Sequence, residues 1–255
     1  AGAGRVNFAA KITKAIGENL PLKQTGSWPD SHHLFEKKAA NALIAALAAG
    51  RPLLVRGEPG IGKSQLARAA ARVLEWPFIA TVIQPNSEYQ ELLWMFDHTQ
   101  RLADAQLAGA LGEPDRMQVD AAYIAPGPMW YALNWTQAAK KNNHHNYRPP
   151  QDSAAPAAGQ GVVLLIDEID KADISVANGL LEVLGNGRFD VQVSGETVQP
   201  PEGRQAPLVV LTSNDTRELP AALVRRCVVL DLKLEEGEAL VEKLVKVGGA
   251  HFDGM

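Results

Sequence analysis

Gly57-Glu58-Pro59-Gly60-Ile61-Gly62-Lys63-Ser64 decides the reading of this chain. It meets the spacing G-x-x-x-x-G-K-S/T at every fixed position, the pattern of a loop that wraps a chain of phosphates. Its context agrees. Pro52-Leu53-Leu54-Val55 before it reads as a short buried strand, and the alanine-rich stretch from Ser64 to Leu74 reads as a helix. Glycines let backbone N–H groups turn inward around a triphosphate, and a helix N-terminus adds a favourable dipole. In such a loop the Lys63 ammonium reaches the outer phosphates and the Ser64 hydroxyl ligates Mg²⁺. Gly57, Glu58, Pro59, Gly60, Ile61, Gly62, Lys63 and Ser64, with Gln65 directly after them, are the candidate nucleotide-binding residues.

A second motif supports the first. Val162-Val163-Leu164-Leu165-Ile166 is a continuous apolar run that ends in Asp167-Glu168. Such a run suits a strand buried on both faces of a parallel sheet. Ligands of open α/β sheets sit beyond the carboxyl ends of the strands, so both carboxylates face the phosphate site. Asp167 can hold Mg²⁺ through water, and Glu168 can orient and deprotonate a water attacking the γ-phosphate.

The 255 residues are 46% hydrophobic and 21% charged, enough for one large domain or two smaller ones. With 25 basic against 29 acidic residues the net charge is −4, so nothing points to nucleic acid as the partner. The single cysteine, Cys227, excludes an intrachain disulfide and fits a reducing compartment. No apolar run approaches the ~18 residues of a membrane span, and Ala1 to Arg5 lacks the apolar stretch of a secretory signal. A soluble cytoplasmic protein is expected.

Around the two motifs the periodicity places further elements. Short helices are expected over Phe8–Ile16 and Leu34–Ala49, the second stopped by Gly50. Pro77–Val82 reads as a strand, and Ser87 with Gln90 has capping-box spacing for a helix to about Phe96. Met95 and Phe96 read as core residues rather than as substrate contacts in a pore. Tyr123 to Trp130 reads as a strand end and a tight turn into a helix from about Pro128 to Ala139. Lys140 to Gly161, rich in Asn, His, Pro and Gln, reads as a solvated loop, with Lys140-Lys141 serving solubility. His32-His33 and His144-His145 are adjacent pairs without i, i+4 spacing, so they read as loop residues and not as metal ligands. Later come a helix over Ser175–Leu184, a hairpin over Phe189–Val198, a strand over Leu208–Asn214, a helix over Pro220–Arg226, a strand over Cys227–Leu232 and a helix over Glu235–Val247.

This order of motifs resembles an AAA+ ATPase, and within that superfamily the MoxR-type branch. Leu165-Ile166-Asp167-Glu168-Ile169-Asp170-Lys171-Ala172 is similar to that branch's acidic motif, and Ala125-Pro126-Gly127-Pro128 to its Pro-Gly-Pro segment. The hairpin near Gly187 to Val198 lies where the branch carries an inserted hairpin. The resemblance implies a three-layer α/β/α sandwich around a five-stranded parallel sheet. It divides the chain into an N-terminal extension over 1–26, an ATPase core over 27–234 and the start of a lid over 235–255. The core would hold an insertion or loop region over 97–160 and the hairpin over 187–199. The lid reads as truncated or reduced, which would impair adenine binding and hydrolysis.

The resemblance also implies roles. ATP and Mg²⁺ would be the cofactors. Asn214 stands where the family has a polar sensor that contacts the γ-phosphate and the attacking water. Arg226, with Arg225 beside it, ends the helix that presents an arginine finger to the neighbouring subunit, a task that suits an always-charged fork. A homo-oligomeric, hexameric ring acting on a protein substrate or a von Willebrand factor A domain partner is implied. Ser213-Asn214-Asp215 in place of Gln-Asn-Pro, and Asp170-Lys171 in place of Asn-Arg, depart from the branch pattern. Two other classes stay open: a nucleotide-binding switch without efficient turnover, and a nucleic-acid motor, which the missing basic stripe opposes.

Overall fold

A computed structural model describes residues 8–26, 28–112, 119–141, 154–233 and Val245. Ala1 to Arg5, His144-His145 and, Val245 excepted, the expected helix over Glu235–Val247 with its lid lie outside the described residues. The element order begins α1 (Phe8–Lys14), β1 (Asn19–Leu22), β2 (Ser31–Leu34), α2 (Lys37–Ala49), β3 (Leu53–Arg56), α3 (Lys63–Leu74), β4 (Phe78–Val82), α4 (Tyr89–Leu93) and β5 (Trp94–Phe96). It continues α5 (His98–Leu111), β6 (Ile124–Pro126), α6 (Pro128–Leu133), α7 (Trp135–Lys141), β7 (Val163–Asp167) and α8 (Ile174–Asn186). It ends β8 (Phe189–Val191), β9 (Glu196–Val198), β10 (Leu208–Ser213), α9 (Ala221–Arg226) and β11 (Val228–Asp231).

Five strands form one parallel sheet in the order β11-β3-β10-β7-β4. Their side chains alternate between two cores, as the period of two demands. Leu53, Val55, Val163, Leu165, Leu208 and Val210 pack with α1, α2 and α3. Leu54, Leu164, Ile166, Val209 and Leu211 pack on the other face with α4, α6, α7, α8 and α9. Both faces are covered, which is why the strands read as unbroken apolar runs. The expected three-layer sandwich with a five-stranded parallel sheet is therefore the fold. Among the described residues no helix is long and apolar enough to cross a membrane.

Several local expectations are corrected. The cap of α4 is Glu88, in a capping box with Glu91, while the Ser87 hydroxyl accepts from the Gln84 N–H one turn earlier. That helix stops at Leu93. Trp94–Phe96 is the strand β5, antiparallel to β6, so Met95 and Phe96 lie on a strand; both are half-buried. The helix expected from Pro128 to Ala139 is two, broken at Asn134, whose side-chain oxygen accepts from the Gln137 N–H. Lys140-Lys141 is the last turn of α7 and not loop, and Lys141 pairs with Glu196 of the hairpin at 2.6 Å. Leu34 belongs to β2 and α2 starts at Lys37. His32-His33 lies on β2, a strand and not a loop, paired antiparallel to β1. The β1–β2 pair joins residues on both sides of position 26, and Ile12, Leu20 and Leu22 are buried with α3. The 97–160 region is largely structured where described, with α5, β6, α6 and α7.

The turn at Pro126-Gly127-Pro128 shows how tight this packing is. The Gly127 N–H donates to the Leu93 carbonyl at 2.8 Å. A Cβ on Gly127 would stand 2.4 Å from the Glu91 carbonyl oxygen and 2.7 Å from the Leu92 carbonyl carbon. These are backbone atoms and cannot swing aside. Gly127→Ala is expected to destabilise the fold by about 1–3 kcal/mol through overpacking. Urea unfolding of the variant beside the parent checks this; an unchanged midpoint would show that α4 and α6 can separate at no cost.

Candidate functional site

The carboxyl ends of the parallel strands bring the motifs together. Leu211 pairs with Ile166 and Thr212 with Val55, so Thr212, Asp167 and Val55 stand level where the sheet ends. The loop Gly57–Gly62 leaves β3 there and enters α3. Gly57 has φ 151° and a Cβ would meet the Leu232 carbonyl oxygen at 2.3 Å, so only glycine fits beside the end of β11. Gly62 is the α3 N-cap in the left-handed region, and no side chain caps that helix. Its first-turn N–H groups are therefore left to a ligand or to water.

Three hydroxyl and carboxylate groups lock the loop to the acidic strand. The Ser64 hydroxyl lies 2.9 and 3.0 Å from the two Asp167 oxygens. The Thr212 hydroxyl donates to Asp167 Oδ1 and accepts from the Glu168 N–H at 2.9 Å. Lys63 donates to the carbonyls of Gly57 and Glu58, each at 2.8 Å. Burial lowers the Lys63 pKa, and the carboxylates Asp167, Asp170, Asp215 and Glu168 oppose that shift. Phosphate-binding candidates and metal candidates thus meet at one point.

Glu168 follows in the left-handed conformation, φ 59° and ψ 45°, which turns its side chain off the strand axis. Its carboxylate accepts from the Asn214 side-chain amide at 3.3 Å and from Lys171 at 2.6 Å. Asn214 sits just beyond β10. Its backbone N–H, with the N–H and hydroxyl of Thr216, donates to Asp170 Oδ2. Arg226 is at the end of α9, where its guanidinium donates to the Leu181 carbonyl of α8 at 2.5 Å. Arg225 is exposed, and its carbonyl accepts from Arg51 at 2.9 Å. Neither arginine touches the loop of its own chain.

A cavity of about 170 Å³ opens beside the loop, lined by His33, Glu36 and Gln65 with Ala39, Ile61 and Leu232 among others. It has apolar walls and a few polar groups, the usual character of a small-molecule site. Gln65 lies in the first turn of α3 and hydrogen-bonds His33. Sequence reasoning missed His33, Thr212, Asp170 and Thr216. Thr212 was visible as a hydroxyl ending an apolar run, but only the sheet register reveals its partner.

Residues 52–227 match the profile of the AAA domain, dynein-related subfamily. The chain belongs to that family. A "putative ATPase" from Cytophaga hutchinsonii has a similar solved structure, with a TM-score of 0.51 over 94% of this chain at 16% identity. At that identity the likeness speaks to the AAA fold alone. This chain spans 54% of that protein, about half its length. No curated protein matches the sequence.

The His33 imidazole gives this AAA domain a pH signature. Burial pushes its pKa down from 6.5 to about 4, against the pull of Glu36 and the Gln65 bond. Between those two values the unfolded chain binds a proton that the native chain refuses. Stability is therefore full above pH 6.5 and falls as the pH drops toward 4. On moving from pH 7 to pH 5, His33→Gln is expected to lose on the order of 1 kcal/mol less stability than the parent, discounted for partial exposure. Urea unfolding at both pH values checks it; parallel losses would mean that His33 takes up a proton in the native state.

Proposed function

We propose that this AAA domain binds ATP with Mg²⁺ and hydrolyses it. The observation that carries the reading is the Ser64–Asp167 contact, which joins the glycine loop to the acidic strand end. Its hard oxygen donors suit Mg²⁺, an ion that keeps waters and phosphate oxygens and needs only one or two protein ligands. Among the described residues there is no cluster of three or more His, Cys, Asp or Glu, and a nucleotide-bound Mg²⁺ requires none. Held by Ser64 and Asp167, the ion would supply positive charge against the phosphate oxygens.

The chain's own groups supply the rest. Gly57 to Ser64 would wrap the phosphates with N–H groups, and Lys63 keeps a third donor beyond its two loop carbonyls. Gln65 and the adjoining cavity would receive the base. Glu168 would take the proton of the attacking water, with Asn214 holding that water from the opposite side. Arg226, or the exposed Arg225, would reach the nucleotide of a neighbouring subunit in a homo-oligomeric, hexameric ring. The Asp167-to-Lys171 motif, the Pro126-Gly127-Pro128 turn and the β8–β9 hairpin support a MoxR-type member that remodels a protein substrate or works with a von Willebrand factor A domain partner. That setting is cytoplasmic.

Phosphate release from Mg-ATP, followed over a wide range of protein concentration, tests this. Specific activity is expected to rise with concentration, because the arginine is supplied in trans. Glu168→Gln is expected to lose about 100-fold or more in turnover while still binding ATP. Lys63→Ala is expected to lose ATP binding. Turnover that survives Glu168→Gln would overturn the catalytic assignment. The Lys171–Glu168 ion pair favours a second reading, a nucleotide switch; ATP binding without phosphate release at any concentration would select it.

A further inference from the structure

Asp170 is buried at 2% exposure, yet it is charged and no cation neutralises it within the bonds described. Three donors converge on one of its oxygens: the Asn214 N–H at 3.2 Å, the Thr216 N–H at 3.1 Å and the Thr216 hydroxyl at 2.6 Å. Its other oxygen, Oδ1, is buried without a hydrogen-bond partner. Burial works to raise its pKa; the bonds from Thr216 and Asn214 prevail and hold it low, so it stays a carboxylate. A buried, half-satisfied carboxylate is a poor way to stabilise a fold. It is a good way to fix geometry, because a charged acceptor makes short, directional bonds.

The geometry is specific. Asp170 belongs to the single helical turn Ile169–Lys171 that directly follows Glu168. Asn214 and Thr216 belong to the loop after β10. The clasp therefore joins the segment that carries Glu168 to the segment that carries Asn214. Above it the Asn214 side chain meets Glu168 at 3.3 Å. Without Asp170 the β10 loop would be tied to the acidic turn mainly by that one long side-chain contact and by Arg217, which donates to the Ala172 carbonyl at 3.1 Å.

We propose that Asp170 is a positioning residue that sets the distance between Asn214 and Glu168, with Thr216 as its second anchor. This rests on the functional reading above for its effect on turnover, but not for the clasp itself.

Amide hydrogen exchange of the full chain tests the clasp, with Asp170→Asn, Asp170→Ala and Thr216→Val as variants. The conservative Asp170→Asn keeps the shape and removes the charge. Exchange at Asn214 and Thr216 is expected to speed up about tenfold, the scale of losing one bond to a charged acceptor, while Val209 to Leu211 stay protected. Unchanged exchange at Asn214 in all three variants would overturn the proposal.

Turnover tests the consequence. Asp170→Asn is expected to lower kcat by up to about 100-fold, as misplacement of a reacting group does, with KM for ATP unchanged. In an Asn214→Ala background the same change is expected to cost less than about twofold, since the group it positions is already gone. A full, additive loss in that background would overturn the proposal. If the parent turns over no ATP, the functional reading fails, and the exchange data still decide whether Asp170 holds Asn214.

Discussion

A buried carboxylate without partners costs several kcal/mol, so Asp167, 8% exposed at the end of a central strand, must be satisfied locally. It is satisfied by two hydroxyls from different elements, Ser64 at the start of α3 and Thr212 near the end of β10. Thr212 then uses its remaining lone pair for the Glu168 N–H. One charge thereby fixes the glycine loop, the middle strand and the turn that carries Glu168 as a single body. Each neighbour is constrained in kind as well as in place. A hydroxyl both donates and accepts, so valine at 212, with the right shape for the strand, would leave both Asp167 and the Glu168 N–H short of a partner.

The same economy appears on the opposite edge of the loop. Arg68 of α3 donates to the Ser31 hydroxyl at 3.1 Å and to the carbonyls of Lys23 and Pro29 at 2.8 and 3.0 Å. It binds the β1–β2 connection to the helix that the glycine loop opens. His33, on β2, and Gln65, on α3, then face the same cavity from elements already tied together. The wall of that cavity and the phosphate loop share one rigid support, so a ligand spanning both would meet a preformed site.

The elements that were legible in the sequence are those whose burial is complete. Val163 to Asp167 and Leu208 to Ser213 sit inside a covered sheet, and their unbroken apolar runs announce it. The glycine loop was legible because its spacing is set by backbone geometry and not by distant contacts. What escaped was decided by partners far along the chain. Trp94–Phe96 becomes a strand because Ile124–Pro126 pairs with it, and nothing in its own sequence separates that from the last turn of a helix. His32-His33 is polar in composition but strand in fact, because β1 supplies its ladder. Thr212 and Asp170 act on groups about 45 positions away, a relation that only the sheet register creates.

The site divides into parts that are held and parts that can be released. Asp167, Asp170, Thr212 and Ser213 are buried, and their bonds have no competing water. The contacts that would have to change during a reaction are on the outside. Lys171 grips Glu168 from a position largely in solvent, and Arg226 reaches the Leu181 carbonyl from an exposed helix end. Exposed ion pairs contribute little to stability, because water and salt replace the partner at small cost. Freeing Glu168 from Lys171 therefore leaves the buried frame untouched. Asn214 belongs to both worlds: its backbone is fixed by Asp170, and its amide reaches the one carboxylate that must be free to move. A sensor needs that division, since a group that detects a neighbour's change of state must not itself shift with the loop that carries it.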